Sequence, residues 1–130
     1  MLARYKMYRG SRPPLDPLPD GERRDTRHFR GHVLRPEREA VEAYLVAPGE
    51  QAWRTFRKAY LALLERRFRE DRTEFDALAR RAQDQDVFLG CSCPTTKNPR
   101  VDRCHTWLAL EFMKSKYPDV RVEFPPLPKP

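Results

Sequence analysis

Val87, Phe88 and Leu89 form an unbroken apolar run between Asp86 and Gly90, and no other stretch limits the possible folds as strongly. A strand with one face in water alternates apolar and polar residues. A strand that is apolar at every position is covered on both faces, as happens in parallel sheets. Downstream, "CHTWLALEFMKSKY" is apolar nearly all round and reads as a buried helix, stopped by Pro118. Val120, Val122 and Phe124 then alternate with Arg121 and Glu123, the period of a strand. Strand, loop, helix and strand over residues 86–124 make a βαβ unit, whose two strands run parallel. The expected class is α/β, a small three-layer sandwich with a mostly parallel sheet and a C-terminal βαβ unit.

The upstream residues supply the remaining layers. Leu2 to Tyr8 alternate as a first strand, with Ala3, Tyr5 and Met7 on one side and charged residues between them. Pro13, Pro14, Pro17 and Pro19 exclude a helix from the next stretch, so residues 10–35 are expected to form a long Pro/Arg-rich loop. Pro36 opens a short helix, "PEREAVEAYL", which ends before Pro48 and Gly49. In "EQAWRTFRKAYLALLERRFRE", Trp53, Phe56, Tyr60, Leu63, Leu64 and Phe68 fall on one helical face, with most arginines off it. Asp71 and Glu74 have the spacing of a capping box for a further helix carrying Phe75, Leu78, Ala79 and Ala82. These helices are expected to cover the sheet face opposite the βαβ helix. The whole chain, 1–130, reads as one domain with a loose tail at 125–130.

Composition narrows the function classes. No stretch approaches the roughly 18 consecutive apolar residues of a membrane span, and the N-terminus lacks the apolar run of a signal peptide. A cytoplasmic protein with no membrane partner is expected. All three cysteines lie between residues 91 and 104, an odd number in one loop and no framework for secreted disulfides. The net charge of +7 favours an anionic partner, either a small molecule or nucleic acid. There is no RGG repeat, no basic block and no glycine-rich phosphate loop, and no cofactor is expected.

In parallel sheets ligands bind beyond the carboxyl ends of the strands, which is where Gly90 to His105 must lie. With Asp102 as N-cap, Arg103, Cys104 and His105 occupy the first helical turn, where free N–H groups stabilise a thiolate. Cys104 is thus the candidate thiolate and His105 its general acid/base or orienting group. Cys91 lines the pocket or resolves an oxidised Cys104, and Cys93 points to the same side. Gly90 permits a sharp turn or the close approach of a ligand. Arg9, Arg12, Arg100 and Arg103 are candidates to hold an anion, and the segment Arg23 to Arg38, with His28 and His32, is a candidate lid. A zinc ion on Cys91, Cys93, Cys104 and His105 is the alternative. Its spacing is poor, because adjacent residues on a helix diverge by about 100°.

The stretches "VFLGC" and "RCHTWLALEF" together resemble the closing motif of the YeaO-like family of uncharacterised bacterial proteins, domain-of-unknown-function family number 488. The matched positions are Cys91, Cys104 and His105, with the "WRTFRKAYLALL" helix as further support. Members usually carry Arg after Cys-His, where this chain has Thr106, and the proline-rich region after Tyr8 differs from a typical member. The resemblance implies an α/β fold and an enzymatic role for the cysteines, without naming a reaction. Together with the basic charge, it gives an expectation of a thiol site for an anionic small molecule such as a nucleotide, with a nucleic-acid-binding module as the alternative.

Overall fold

A computed structural model describes residues 1–127 of the chain. The elements are β1 (Leu2–Lys6), β2 (Glu22–Asp25), α1 (Arg38–Val46), α2 (Glu50–Glu70), α3 (Thr73–Asp84), β3 (Val87–Cys91) and α4 (His105–Lys116), with a 3-10 turn at Val101–Arg103. The three strands form one parallel sheet in the order β1-β3-β2. The fold is a small α/β fold, and β3 is its central strand. That position explains the apolar run, because β3 is paired on both edges and packed on both faces.

Leu2, Val87 and Leu89 face a single buried cluster that also takes Phe56, Tyr60 and Leu64 from α2, Phe75 and Leu78 from α3, and Leu108, Phe112 and Met113 from α4. The helices preceding β3 therefore share a core with α4, and do not cover the opposite face as expected. The physical reason is the strand order. The chain passes from β2 to β3 and then across to the β1 edge in one direction, and right-handed connections running in one direction lie on one face. Leu89 is fully buried, so Leu89→Ala removes contacts worth roughly 2–5 kcal/mol.

The opposite face is only partly covered, with Tyr5 and Phe88 half-buried and Arg12 of the proline-rich segment 6.0 Å from the Tyr5 ring centre. Tyr5 is registered with Gly90, and Ala3 with Phe88, so these residues share that face. Arg12 folds back over Tyr8, its guanidinium 4.9 Å from the ring centre, and donates to the carbonyls of Lys6 at 2.5 Å and Asp16 at 2.6 Å. Gly21 has φ +141°, and a Cβ there would lie 2.6 Å from the Asp86 carbonyl oxygen, so only glycine fits the entry to β2.

Two sequence expectations shift. The stretch read as uninterrupted loop contains β2, which escaped notice because "ERRD" has no apolar alternation. It is an edge strand, where charged side chains can remain in water. "VRVEF" is not a full strand: it makes one parallel bridge, Leu2 to Val122, and its neighbour is β1, not β3. Pro118 before it and Pro125 after it leave little chain free to pair. The expected tail falls partly at residues 128–130, outside the described residues. No helix among the described residues is long and apolar enough to cross a membrane.

Candidate thiol site

β3 and α4 bring the cysteines together. Cys91 is the last residue of β3, Cys93 follows in the loop, and Cys104 is the N-cap of α4. Their three sulfur atoms all lie within 4.8 Å of one another. Cys91 and Cys104 are buried, Cys93 is half-buried, and all three are free thiols. The helix begins later than the sequence suggests. Asp102 lies in the 3-10 turn and pairs with Arg100, its Oδ2 2.6 Å from the guanidinium, so the cap position belongs to Cys104 itself.

Cys104 is surrounded by donors. The Thr106 hydroxyl donates to its Sγ at 3.2 Å and in turn accepts a hydrogen bond from Arg4 Nε at 3.0 Å. His105 Nδ1 lies 3.8 Å from the same sulfur. Hydrogen bonds from the Cys91 and Cys93 thiols hold the Cys104 thiol well below the ordinary cysteine range, against the effect of its burial. The same contacts act in reverse on the donors. Cys91 is pushed well above its ordinary value, and Cys93 is pushed up to about 11, in each case chiefly by the bond to Cys104.

Donor counting assigns the His105 tautomer. His105 Nε2 lies 2.8 Å from Thr26 Oγ1, and that hydroxyl also lies 3.1 Å from the Gly90 carbonyl oxygen. A carbonyl only accepts, so the single Thr26 proton points to Gly90 and the hydroxyl accepts from Nε2–H. Nδ1 then faces Cys104, free to take or return a proton. The imidazole and the Tyr60 ring stand perpendicular to each other, 6.0 Å between centres.

Asn98 ties the loop to the cluster. It is 3% exposed, and its Nδ2 donates to Cys93 Sγ at 3.3 Å and to the Arg103 carbonyl at 2.8 Å. Its Oδ1 accepts from the Tyr44 hydroxyl at 3.2 Å. Arg4 also donates to the carbonyls of Cys91 at 3.3 Å and Cys93 at 2.6 Å, pinning the backbone between the two.

All three sulfurs and His105 line a cavity of about 540 Å³. Arg9 and Arg103, two of the four arginines read as anion ligands, line the same cavity. Arg12 is turned away to Asp16, and Arg100 to Asp102. The cavity also takes Arg27 from the segment read as a lid, together with Lys6 and Lys97. Arg9, Arg27, Lys97 and Lys6 have no carboxylate partner among the described residues, Lys6 donating instead to the Pro94 carbonyl at 2.6 Å, whereas Arg103 pairs with Glu50. Gly90 contributes differently from the expectation. A Cβ there would meet Tyr5 Cε1 at 2.8 Å, so its missing side chain admits the Tyr5 ring on the opposite sheet face, and its carbonyl holds Thr26.

Thr26, Asn98 and Arg4 escaped the sequence reading, and Thr106 entered it only as a departure from the family's usual Arg. Arg4 carried the one available signal. It is two residues from Leu2 and therefore shares the helix-facing side of β1, where a charge needs a partner. Ala3 and Tyr5 share one side of β1, as the alternation implies, and it is the side away from the helices.

The donor set does not make a closed zinc site. Structural zinc takes four ligands, and among the described residues no fourth His, Cys, Asp or Glu joins the three sulfurs. The family model DUF488-N3a, described as the active DUF488-N3 subclade, matches residues 18–117, from the loop before β2 through α4. Neither the curated proteins nor the solved structures contain a significant match. The chain belongs to the DUF488 family.

Proposed function

We propose that this DUF488 protein is an enzyme whose Cys104 thiolate attacks an anionic small molecule, such as a nucleotide, held in the cavity beside it. The observation that carries the reading is the convergence on one sulfur. Cys104 Sγ accepts from Thr106, lies within 4.8 Å of the Cys91 and Cys93 sulfurs, stands beside His105 Nδ1, and opens on a cavity with four cations that have no carboxylate partner among the described residues. Burial by itself pushes a thiol toward its neutral form, so a buried thiol brought below its ordinary value needs such surroundings.

In this mechanism the Cys104 proton moves to His105 Nδ1, while Thr26 holds the ring through Nε2–H. The sulfur electron pair forms a bond to the electrophilic centre of the substrate. The leaving group departs with the proton returned from Nδ1. Arg9, Arg27, Arg103 and Lys97 bind the charged part of the substrate and draw it in from solution. Cys91 and Cys93 remain protonated and act as donors. A reducing, cytoplasmic setting is part of this reading, since sulfurs this close stay thiols where disulfides do not persist.

The test compares neutral iodoacetamide with anionic iodoacetate, following the tryptic peptide Cys104–Lys114 from about pH 5 to about pH 9. Cys104 is expected to react at a rate that is flat across the neutral range, roughly tenfold or more faster than Cys93 near pH 7. Iodoacetate is expected to gain on iodoacetamide at low salt and to lose that gain as salt rises. A Cys104 rate that climbs only near the free-cysteine value, with no preference for the anionic reagent, overturns the reading.

A further inference from the structure

The three thiols are not equivalent, and their differences assign them an order of reaction with an oxidant. Cys91 belongs to the central strand. Its carbonyl accepts from Met7 N at 2.9 Å within the ladder, it is registered with Lys6, and the residue is 3% exposed, while Arg4 holds the carbonyls of both cysteines. Cys93 lies past the strand end, half-buried on the cavity side, outside the sheet ladder. Its sulfur also has a partner that Cys91 lacks, the Asn98 amide at 3.3 Å.

We infer that Cys104 is a site of oxidation by hydroperoxides and that Cys93, not Cys91, closes the resulting disulfide. The inference rests on the reading of Cys104 as a thiolate. In the first step the Cys104 sulfur attacks one peroxide oxygen, the O–O bond breaks, and the departing hydroxide or alkoxide takes a proton from His105 Nδ1. The product is a sulfenic acid, with sulfur oxidised by two electrons and the peroxide reduced by two. In the second step Cys93 Sγ attacks the sulfenic sulfur. The S–S bond forms, the S–O bond breaks, and the Cys93 proton leaves with the hydroxyl as water.

The surroundings favour Cys93 at the second step. While Cys104 is a thiolate, Cys93 serves as its donor and stays protonated, pushed up to about 11. Sulfenylation removes that charge and with it the main cause of the rise. The Cys91 thiol and the Asn98 amide, which both act to lower Cys93, are left in place. Cys91 has no comparable donor, because its own bonds to Cys104 and Cys93 both raise it. Closing the bond to about 2.05 Å from sulfurs within 4.8 Å requires side-chain rotation at Cys93. At Cys91 any accompanying backbone shift disturbs the ladder to β1.

The test treats the reduced full-length protein with hydrogen peroxide, caps the remaining thiols and measures intact mass and non-reduced tryptic peptides. Cys91 and Cys93 share the peptide Ala82–Lys97, so the variants Cys91→Ser and Cys93→Ser decide between them. The wild type and Cys91→Ser are expected to lose two thiols and link this peptide to Cys104–Lys114. Cys93→Ser is expected to retain the sulfenic acid, trapped by dimedone. Linkage lost in Cys91→Ser but kept in Cys93→Ser overturns the assignment, as does a Cys91–Cys93 bond. Circular dichroism of each variant separates a lost reaction from a lost fold. If Cys104 alkylates rapidly at neutral pH but no disulfide or sulfenic acid forms, this inference fails alone; if Cys104 alkylates as an ordinary thiol, the thiolate reading fails with it.

Discussion

Two corners of the molecule share Tyr60 as a wall and treat their buried polar groups in opposite ways. The Tyr60 ring meets His105 at the thiol site, while its hydroxyl donates to the Leu34 carbonyl at 2.5 Å in the segment before α1. At the thiol corner both nitrogens of His105 face a partner. In the other corner His32 Nδ1 accepts from Leu34 N–H at 3.1 Å, but His32 Nε2 and Arg35 Nε are without partners among the described residues. Burial, the largest cause, holds His32 down at about 4. Cys104 is at least as deeply buried, yet its ionised form is favoured. Burial drives a group toward neutrality, and only donors aimed at the charge reverse that. At the thiol corner polar groups converge on one sulfur; the His32 corner is held by Arg67, whose Nη1 donates to the carbonyls of Val33 at 2.8 Å and Arg35 at 2.7 Å.

Removing the hydroxyl that holds His105 is the strongest way to break this contrast. Thr26→Val leaves His105 Nε2–H and the Gly90 carbonyl without that partner. It is expected to slow Cys104 alkylation near neutral pH by about tenfold or more and to cost about 1–3 kcal/mol in urea unfolding. An unchanged alkylation rate would show that the tautomer does not depend on Thr26.

The His32 corner makes an acid-sensitive contribution. Its folded value of about 4 lies below the ordinary 6.5, so the unfolded chain takes up the proton first as pH falls. Stability is full above about 6.5 and drains between there and about 4, by up to about 3 kcal/mol. His32→Asn keeps an acceptor for Leu34 N–H and removes the titration. The gap between urea midpoints measured near pH 7 and near pH 5 is expected to narrow. A gap as wide as in the wild type would move the acid sensitivity elsewhere.

Smaller changes sharpen the comparison. Thr106→Val deletes one donor to Cys104, and the alkylation profile is expected to move up by about one pH unit, the size of one hydrogen bond to a charged group. Arg9→Ala with Arg27→Ala is expected to reduce the iodoacetate preference several-fold, with stability changed by no more than about 0.5 kcal/mol per site. A preference that survives the double change would assign anion recognition to Arg103 and Lys97.

Local pattern accounts for what was legible. The apolar run of β3, the one-sided periodicity of α2, the all-round burial of α4 and a Cys-His pair at a helix start are carried by adjacent residues. They yielded the α/β class and placed three thiols at one end of a parallel sheet. β2 stayed hidden because an edge strand needs no apolar code, and the final segment joined β1 instead of β3 because backbone pairing is indifferent to sequence distance. Arg12 and Arg100 had the right charge for the cavity but found nearer carboxylates.

The sequence alone put all three sulfurs in one loop after a strand and one of them at a helix start; that they meet was decided by the fold. The tertiary structure decided which sulfur is surrounded by donors. Arg4 meets Thr106 across 102 residues, and Thr26 meets His105 across 79. No period of strand or helix connects such positions. A hydrogen bond depends on where two atoms lie in space, and only the packed sheet and helices bring these together.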